Sequence, residues 1–309
     1  MQHNSGPSDR TIGTLSAIGA FTLWGLFPLY WAYLAGVPAL EITTHRVAWA
    51  AILAWAIVFA RRRSGRGHTV AMEPPPPLLP RGRVLWLLLL NGALVVTNWL
   101  IYIWAITSGR TLDASLGYYI NPLVSIFLGM LVFRERLSRL QWVALASAAT
   151  GVVYLTLRLG VFPGASLALA LTFGTYGLIK KRTPLSSIHS LAVELLPISL
   201  VALAAIFVPA ARGEGSFLAG NTVWTLFLLG GGVVTVAPLL LFGLAAQRIR
   251  LADVGFLQYI TPTMLFILAV ALYGDPMPRD RLVGFVFVWI GLGLYTLSNV
   301  LGRRKRKHE

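Results

Sequence analysis

Apolar residues run in long blocks along this chain, longer than a strand or a helix in a soluble core requires. Ten blocks reach the length needed to cross about 30 Å of hydrocarbon. They cover residues 12–35, 39–60, 84–107, 113–133, 140–157, 163–179, 187–208, 222–246, 254–273 and 282–301, the sixth being the shortest. The first exceeds the apolar region of a signal peptide and lacks a clear small-residue cleavage site, so it reads as a retained span. The widest gap, 61–83, holds Arg61-Arg62-Arg63 and then Pro74 to Pro77, the pattern of a stiff solvated loop. The pattern predicts an all-α integral membrane protein of ten transmembrane helices. Short tails, 1–11 and 302–309, flank them.

Composition narrows the class. Of 309 residues, 56% are hydrophobic and 12% charged, about half the charged share of a soluble domain. Mean hydropathy is +0.72. So few polar residues cannot coat a soluble core, and so much apolar sequence excludes disorder. The absence of cysteine excludes disulfides, thiolate zinc sites, iron–sulfur ligation and cysteine nucleophiles. A net charge of +15 would suggest nucleic acid as a partner of a soluble protein. Here the basic residues sit between apolar runs, where they orient helices, so no nucleic-acid partner is expected. Lys and Arg fall 20 on the side carrying both termini and 5 on the other, with Arg46 inside a span. The excess of positive charge on the inner side of membrane proteins then places both termini in the cytoplasm.

An internal repeat lies at a constant offset of 140. It pairs Arg110 with Arg250, Asp113 with Asp253, Tyr119 with Tyr259, Pro122 with Pro262, Glu135 with Asp275 and Gly151 with Gly291. The first spans of the two copies match more weakly, Trp24-Gly25 with Tyr176-Gly177, at an offset of 152. The chain thus divides into five-span copies, 12–157 and 163–301. Five is odd, so the second copy enters the membrane inverted. Inverted repeats mark secondary transporters, whose substrate sites lie where the halves meet.

Candidate chemistry follows from polar groups inside spans, which cost a few kcal/mol each and persist where they serve binding or packing. Glu41, His45 and Arg46 cluster in the second span. Arg46 is a candidate cation for an anionic or carboxylate substrate, with His45 or Glu41 as proton carrier. The competing structural reading has Arg46 snorkelling outward to pair with Glu41. Glu194, in the seventh span, is a candidate proton site, a counter-ion for Arg46, or a hydrogen-bonded structural carboxyl. Polar stripes that line a cavity or glue helices comprise Asn91, Asn98 and Tyr102 in the third span, Tyr118, Asn121 and Ser125 in the fourth, and Gln258 and Thr261 in the ninth. Trp24, Trp99, Trp104 and Tyr259 are candidate flat walls. Pro122 and Pro262 fall mid-span and free the carbonyls of Tyr118 and Gln258, which predicts paired kinks able to act as gates. Asp113 and Asp253 open their spans as N-caps. Ala144-x3-Ala148 and Ser147-x3-Gly151 predict close helix packing. Gly230-Gly231-Gly232 lacks a phosphate-loop lysine, and no ATPase motif, HExxH or nucleophile elbow occurs.

Several blocks carry a resemblance. Trp24-Gly25-Leu-Phe-Pro28-Leu-Tyr30-Trp31, Glu41-Ile-Thr-Thr-His45-Arg46, Asn98-Trp99-Leu-Ile-Tyr102-Ile-Trp104 and Gly117-Tyr118-Tyr119-Ile-Asn121-Pro122 resemble the RarD group of the drug/metabolite transporter (EamA-type) superfamily. So do Pro238-Leu-Leu-Leu-Phe242 and Gly255-Phe-Leu-Gln258-Tyr259-Ile. The resemblance spans about 12 to 300, and the Arg- and Pro-rich 61–83 loop departs from it. It implies a ten-span permease of the bacterial inner membrane, with a link to chloramphenicol sensitivity in the family label and with export favoured by similarity to metabolite exporters. It implies no cofactor and few assigned substrate contacts.

The expected function is therefore a secondary transporter of a small metabolite or drug-like solute, working without ATP by alternating access. Protons are the candidate coupling ion, and the protein is a monomer or homodimer in the bilayer. Two alternatives stay open at this point: a membrane-embedded enzyme with an interfacial Glu41/His45/Arg46 site, and a passive channel.

Overall fold

A computed structural model describes residues 7–64, 77–160, 162–272, 274 and 279–305. Residues 1–6, 65–76 of the long loop, 306–309 and Asp275 are among those outside the described residues. The described chain is helical throughout: α1 (Pro7–Trp31), α2 (Ala39–Arg63), α3 (Gly82–Thr107), α4 (Thr111–Phe133), α5 (Arg139–Leu159), α6 (Gly164–Arg182), α7 (Ser187–Ala211), α8 (Thr222–Arg248), α9 (Leu251–Gln258), α10 (Ile260–Ala271) and α11 (Arg279–Lys305). Helices α9 and α10 together make one crossing. Nine crossings among the described residues are long and apolar enough to span a membrane. The tenth, α6, has 19 residues and ends in Lys180, Lys181 and Arg182, and it falls short of that measure.

The bundle is apolar outside as well as inside. Trp86, Leu157 and Val201 are more than 70% exposed, whereas Asn91, Lys180 and Glu194 are fully buried. This distribution suits helices bathed in lipid, where polar groups turn inward to find partners.

Helix pairings exchange when each helix is replaced by its counterpart in the other copy. α2 packs on its own counterpart α7, α4 on α9, and α5 on α11. α1 with α8 answers to α6 with α3, and α4 with α6 answers to α10 with α1. Small residues make these contacts possible. A Cβ on Gly92 would overlap the carbonyl of Glu194, and one on its mate Gly232 would lie 2.7 Å from the backbone of Trp49. Gly151 abuts the carbonyl of Gly284, and Gly291 that of Ala144, which is the close α5–α11 packing the small-residue spacing anticipates. The Ser147 hydroxyl donates to the carbonyl of Phe287 at 2.8 Å, and the Tyr259 hydroxyl to that of Tyr119 at 3.3 Å. Each bond joins residues 140 apart, and a residue meets its own mate only beside a two-fold axis.

Three sequence expectations need correction. The offset between α1 and α6 is 149, not 152. Gly25 abuts Met264 while Gly174 abuts Val124, and those partners are themselves mates, so Gly25 corresponds to Gly174. The two prolines do not make like kinks. α4 runs unbroken through Pro122, whereas the other copy breaks at Tyr259, between α9 and α10, beside the carbonyl that Pro262 frees. Asp113 and Asp253 do not cap their own helices. Asp113 instead accepts from the backbone N–H of Ala165 and Ser166, at 3.2 and 2.9 Å, and so caps α6 from across the interface. Asp253 chelates Arg250 at 3.0 and 2.6 Å and lies 3.9 Å from Arg10 of α1. The start of α9 is capped by Glu135, which accepts from Leu251 and Ala252, both at 2.8 Å.

Candidate functional site

The start of α1, where Asp9 and Arg10 approach Arg248 and Asp253, and the last part of α11, where Ser298 meets Ser138, lie at one end of the bundle, the termini end. A cavity of about 200 Å³ occupies the far half, between the copies. α1 contributes Phe21, Trp24, Phe27, Pro28 and Trp31, at the three- and four-residue spacing of one helical face. α2 contributes Arg46, α3 contributes Asn98, Trp99 and Tyr102, and the first half of α4 contributes Gly117, Tyr118 and Asn121. The second copy supplies Leu169, Phe173, Leu239, Gln258, Thr261 and Leu265.

Toward the termini end the cavity is floored by packed rings. Trp24 meets Phe173 at 5.6 Å and Phe242 at 5.7 Å, and Phe242 stacks on Tyr176 at 5.8 Å. Below them Gly255 presses on the carbonyl of Pro122 and on Ile126, holding α9 against α4.

Arg46 is the one cation among the described lining residues. Ala39 begins α2 at the far end, so Arg46 lies about 10 Å into the bundle at 1.5 Å per residue. Its guanidinium carbon stands 4.7 Å from the Trp99 ring, 5.0 Å from Trp31 and 5.8 Å from Phe27. Its Nε donates to the Thr235 hydroxyl at 3.2 Å. Among the described residues no carboxylate lies within 4.0 Å of it. Aromatic faces attract a cation and leave its in-plane N–H groups free to point elsewhere.

The other polar lining groups divide by what already holds them. The Asn98 amide donates at 2.8 Å both to the Leu169 carbonyl and to the Thr172 hydroxyl, tying α3 to α6. Thr261 donates to the Phe21 carbonyl at 2.9 Å, and Gln258 accepts from Ser125 at 3.3 Å. The rings of Tyr102 and Tyr118 meet edge to face at 6.1 Å. Asn121 is 8% exposed, and its Oδ1 has no donor among the described residues.

Several expected site residues lie elsewhere. Glu41 does not pair with Arg46. Its carboxylate accepts from the backbone of Ser216 and Phe217, at 2.7 and 3.1 Å, and from the Ser216 hydroxyl at 3.0 Å, fastening the far-end loop before α8. His45 packs on Phe217 at 4.6 Å, and its Nδ1 accepts from the Trp49 indole at 2.9 Å, which puts the proton of the neutral ring on Nε2. Neither lines the cavity. Asn91 is fully buried and donates to Glu194 at 3.2 Å instead of facing the cavity. Tyr259 is buried on the axis against Tyr119. Trp104 is half exposed beneath Arg110, 5.1 Å away. Glu194 neither faces the cavity nor balances Arg46; it pairs with Lys180 at 2.9 Å, both side chains fully buried. Lys180 therefore leaves the flanking-charge tally, without changing its sign.

Membrane-length helices in two interlocked copies, around a cavity closed toward one end, define a multi-pass membrane protein built for passage of a solute. Comparison with known proteins agrees. The EamA-like transporter family matches residues 11–157 and 163–297. An uncharacterized transporter of Vibrio cholerae is 42% identical, over 94% of each chain. Protein RarD of Escherichia coli (strain K12) is 36% identical, over 95% of this chain and 96% of its own. A solved crystal structure superposes with a TM-score of 0.67 at 20% identity, covering 93% of this chain and 98% of that one, which bears on the fold alone. The chain belongs to the EamA-like transporter family and is a bacterial membrane transporter of the RarD type.

Proposed function

We propose that this protein is a secondary permease of the bacterial inner membrane, with both termini cytoplasmic, that moves a small metabolite by alternating access without hydrolysing ATP. The observation that carries the reading is the cavity itself. Both copies wall it, its one lining cation lacks a protein counter-charge among the described residues, and rings and close helix contacts floor it on the side of the termini. With the termini inside, this is an outward-facing arrangement. The inverted copies supply the means to reverse it, since exchanging their shapes would shut the far end and open the other. Pockets that take drug-sized ligands measure roughly 300–1,000 Å³. A volume of about 200 Å³ suits a metabolite better.

Export is the direction to which the resemblance points, and the proton is the candidate coupling ion. An interfacial Glu41/His45/Arg46 enzyme finds no support, because Glu41 is held by a loop and His45 turns away from the cavity.

The test is flux in sealed proteoliposomes carrying a trapped pH dye and labelled organic solutes. The expected result is saturable flux that speeds when unlabelled solute is present on the opposite side. Linear flux would make the protein a channel, and a chemically altered solute would make it an enzyme.

A further inference from the structure

The cavity presents three chemical demands at once. The first is charge. The Arg46 guanidinium is stacked against Trp99 and Trp31 and bound through Nε to Thr235, and no described carboxylate reaches it. An arginine this deep in a span is costly to insert. Aromatic faces and one hydroxyl offset part of that cost but neutralise nothing. Its terminal N–H pairs form a fork that fits the two oxygens of a carboxylate.

The second demand is an orphan acceptor. Asn121 is more than nine-tenths buried in the same wall, and its Oδ1 has no donor among the described residues. A buried acceptor left unmatched costs free energy until something donates to it. The third demand is shape, because Trp24, Trp31, Trp99 and Phe173 give flat apolar walls around a volume of about 200 Å³.

We propose that the substrate class is a small organic carboxylate with a flat apolar body and a hydrogen-bond donor. Its carboxylate is held by Arg46, its body lies against the tryptophans, and its donor meets Asn121 Oδ1. The proposal rests on the permease reading for its meaning, but it concerns binding and is tested without transport.

The experiment is calorimetric titration of the purified full chain in detergent with three probes that share one ring system. Indole-3-acetate carries the carboxylate, indole-3-acetamide is its neutral counterpart, and tryptamine carries a positive charge. Benzoate supplies a smaller carboxylate. The expected order is carboxylate tightest and amine weakest. Arg46→Gln should weaken indole-3-acetate at least about tenfold, the scale of one charge-assisted hydrogen bond, while leaving indole-3-acetamide nearly unchanged. That unchanged probe shows that the variant still folds. Asn121→Leu should weaken indole-3-acetate, whose ring N–H is the donor, more than benzoate, which has none.

Equal affinity for acid, amide and amine overturns the proposal. So does an Arg46→Gln variant that loses acid and amide alike, or failure of both carboxylates to bind at millimolar concentration. A protein that binds the acid yet moves nothing in proteoliposomes would sink the permease reading and leave this site standing. Saturable flux with no preference for anions would do the reverse.

Discussion

The fully buried pair of Lys180 and Glu194 makes a demand on stability that can be measured. Their charged atoms are 2.9 Å apart with both side chains at 0% exposure. Lys180 also donates to the Ser190 hydroxyl at 2.7 Å, and Asn91 donates to Glu194 at 3.2 Å. Two ions without solvent offset their desolvation chiefly through each other, so removing one leaves its partner's charge uncompensated. Breaking such a pair costs about 3–5 kcal/mol, whereas replacing both members by neutral groups of similar volume is often close to neutral. Lys180→Met alone leaves the Glu194 carboxylate with no counter-charge beside its Asn91 amide, and Glu194→Gln alone leaves the Lys180 ammonium with neutral acceptors only. Each single variant should lose about 3 kcal/mol or more. The double variant should lie within about 1–2 kcal/mol of the parent, a coupling of at least about 4 kcal/mol, above the roughly 0.5–3 kcal/mol usual for residues in contact, because both ions are without solvent. The assay is denaturant unfolding in micelles followed by tryptophan emission, with the four proteins compared at one detergent concentration. Additive losses would show that the pair does not act as a unit. Single variants costing under about 1 kcal/mol would show that water reaches it, and either result refutes the reasoning.

Two further outcomes follow from the close contacts. Gly92→Ala puts a methyl group into the carbonyl oxygen of Glu194, which is backbone and cannot swing aside, so α3 must leave α7. A loss at or above the usual overpacking cost of about 1–3 kcal/mol is expected in the same unfolding assay, while Gly293→Ala, with open space around it, should change little. On the permease reading the alternate state is reached by exchanging the copies, which would carry the Gly255–Ile126 contact onto Ser115 and Phe266, their mates at an offset of 140. Since the native chain has no cysteine, Ser115→Cys with Phe266→Cys can be joined by a short bifunctional thiol reagent. Cross-linking should rise during turnover and halt flux, and a pair that never cross-links while transport continues would contradict the exchange.

How far the fold was legible depended on whether mates kept their chemistry. Asp113 with Asp253, Tyr119 with Tyr259 and Pro122 with Pro262 are identical, so the register of α4 with α9 and α10 could be read directly, and the Tyr119–Tyr259 bond lies on the axis it implies. The first helices share almost nothing but a ring before a glycine. Trp24-Gly25 fits both Phe173-Gly174 and Tyr176-Gly177, about one helical turn apart, and only the contacts with Met264 and Val124 decide between them. Arg46 stood out because it is the single arginine inside a span. Lys180 did not, because it stands beside Lys181 and Arg182 and looks like one more flanking charge, and only its helical phase turns it inward. Phe21, Phe27 and Trp31 were not among the expected lining residues, although their spacing from Trp24 puts all four rings on one face. Asn91 and Asn98 share a stripe in sequence, yet the first meets a carboxylate below the cavity floor and the second lines the cavity. Depth along a helix is not written in its periodicity.

Near-symmetry also carries an energetic consequence through the residues where it fails. At the termini end α4 and α9 meet backbone to backbone, because Gly255 admits the Pro122 carbonyl and Gly129 admits the N–H of Ala252. The mates of those glycines are Ser115 and Ala269, whose Cβ atoms hold backbones further apart. After the exchange, the far-end closure would therefore pack less closely than the present one, and packing lost at a contact is dispersion energy lost. On the permease reading the two states are thus unequal, and the empty protein rests with its termini end shut. A ligand shifts such an equilibrium only by the difference in its affinity for the two states, so the substrate must bind the closed far end more tightly than the open one. The flat walls of the cavity provide a way. Trp31 and Trp99 flank Arg46, and closing over a bound ring would add contact area that an empty cavity does not offer.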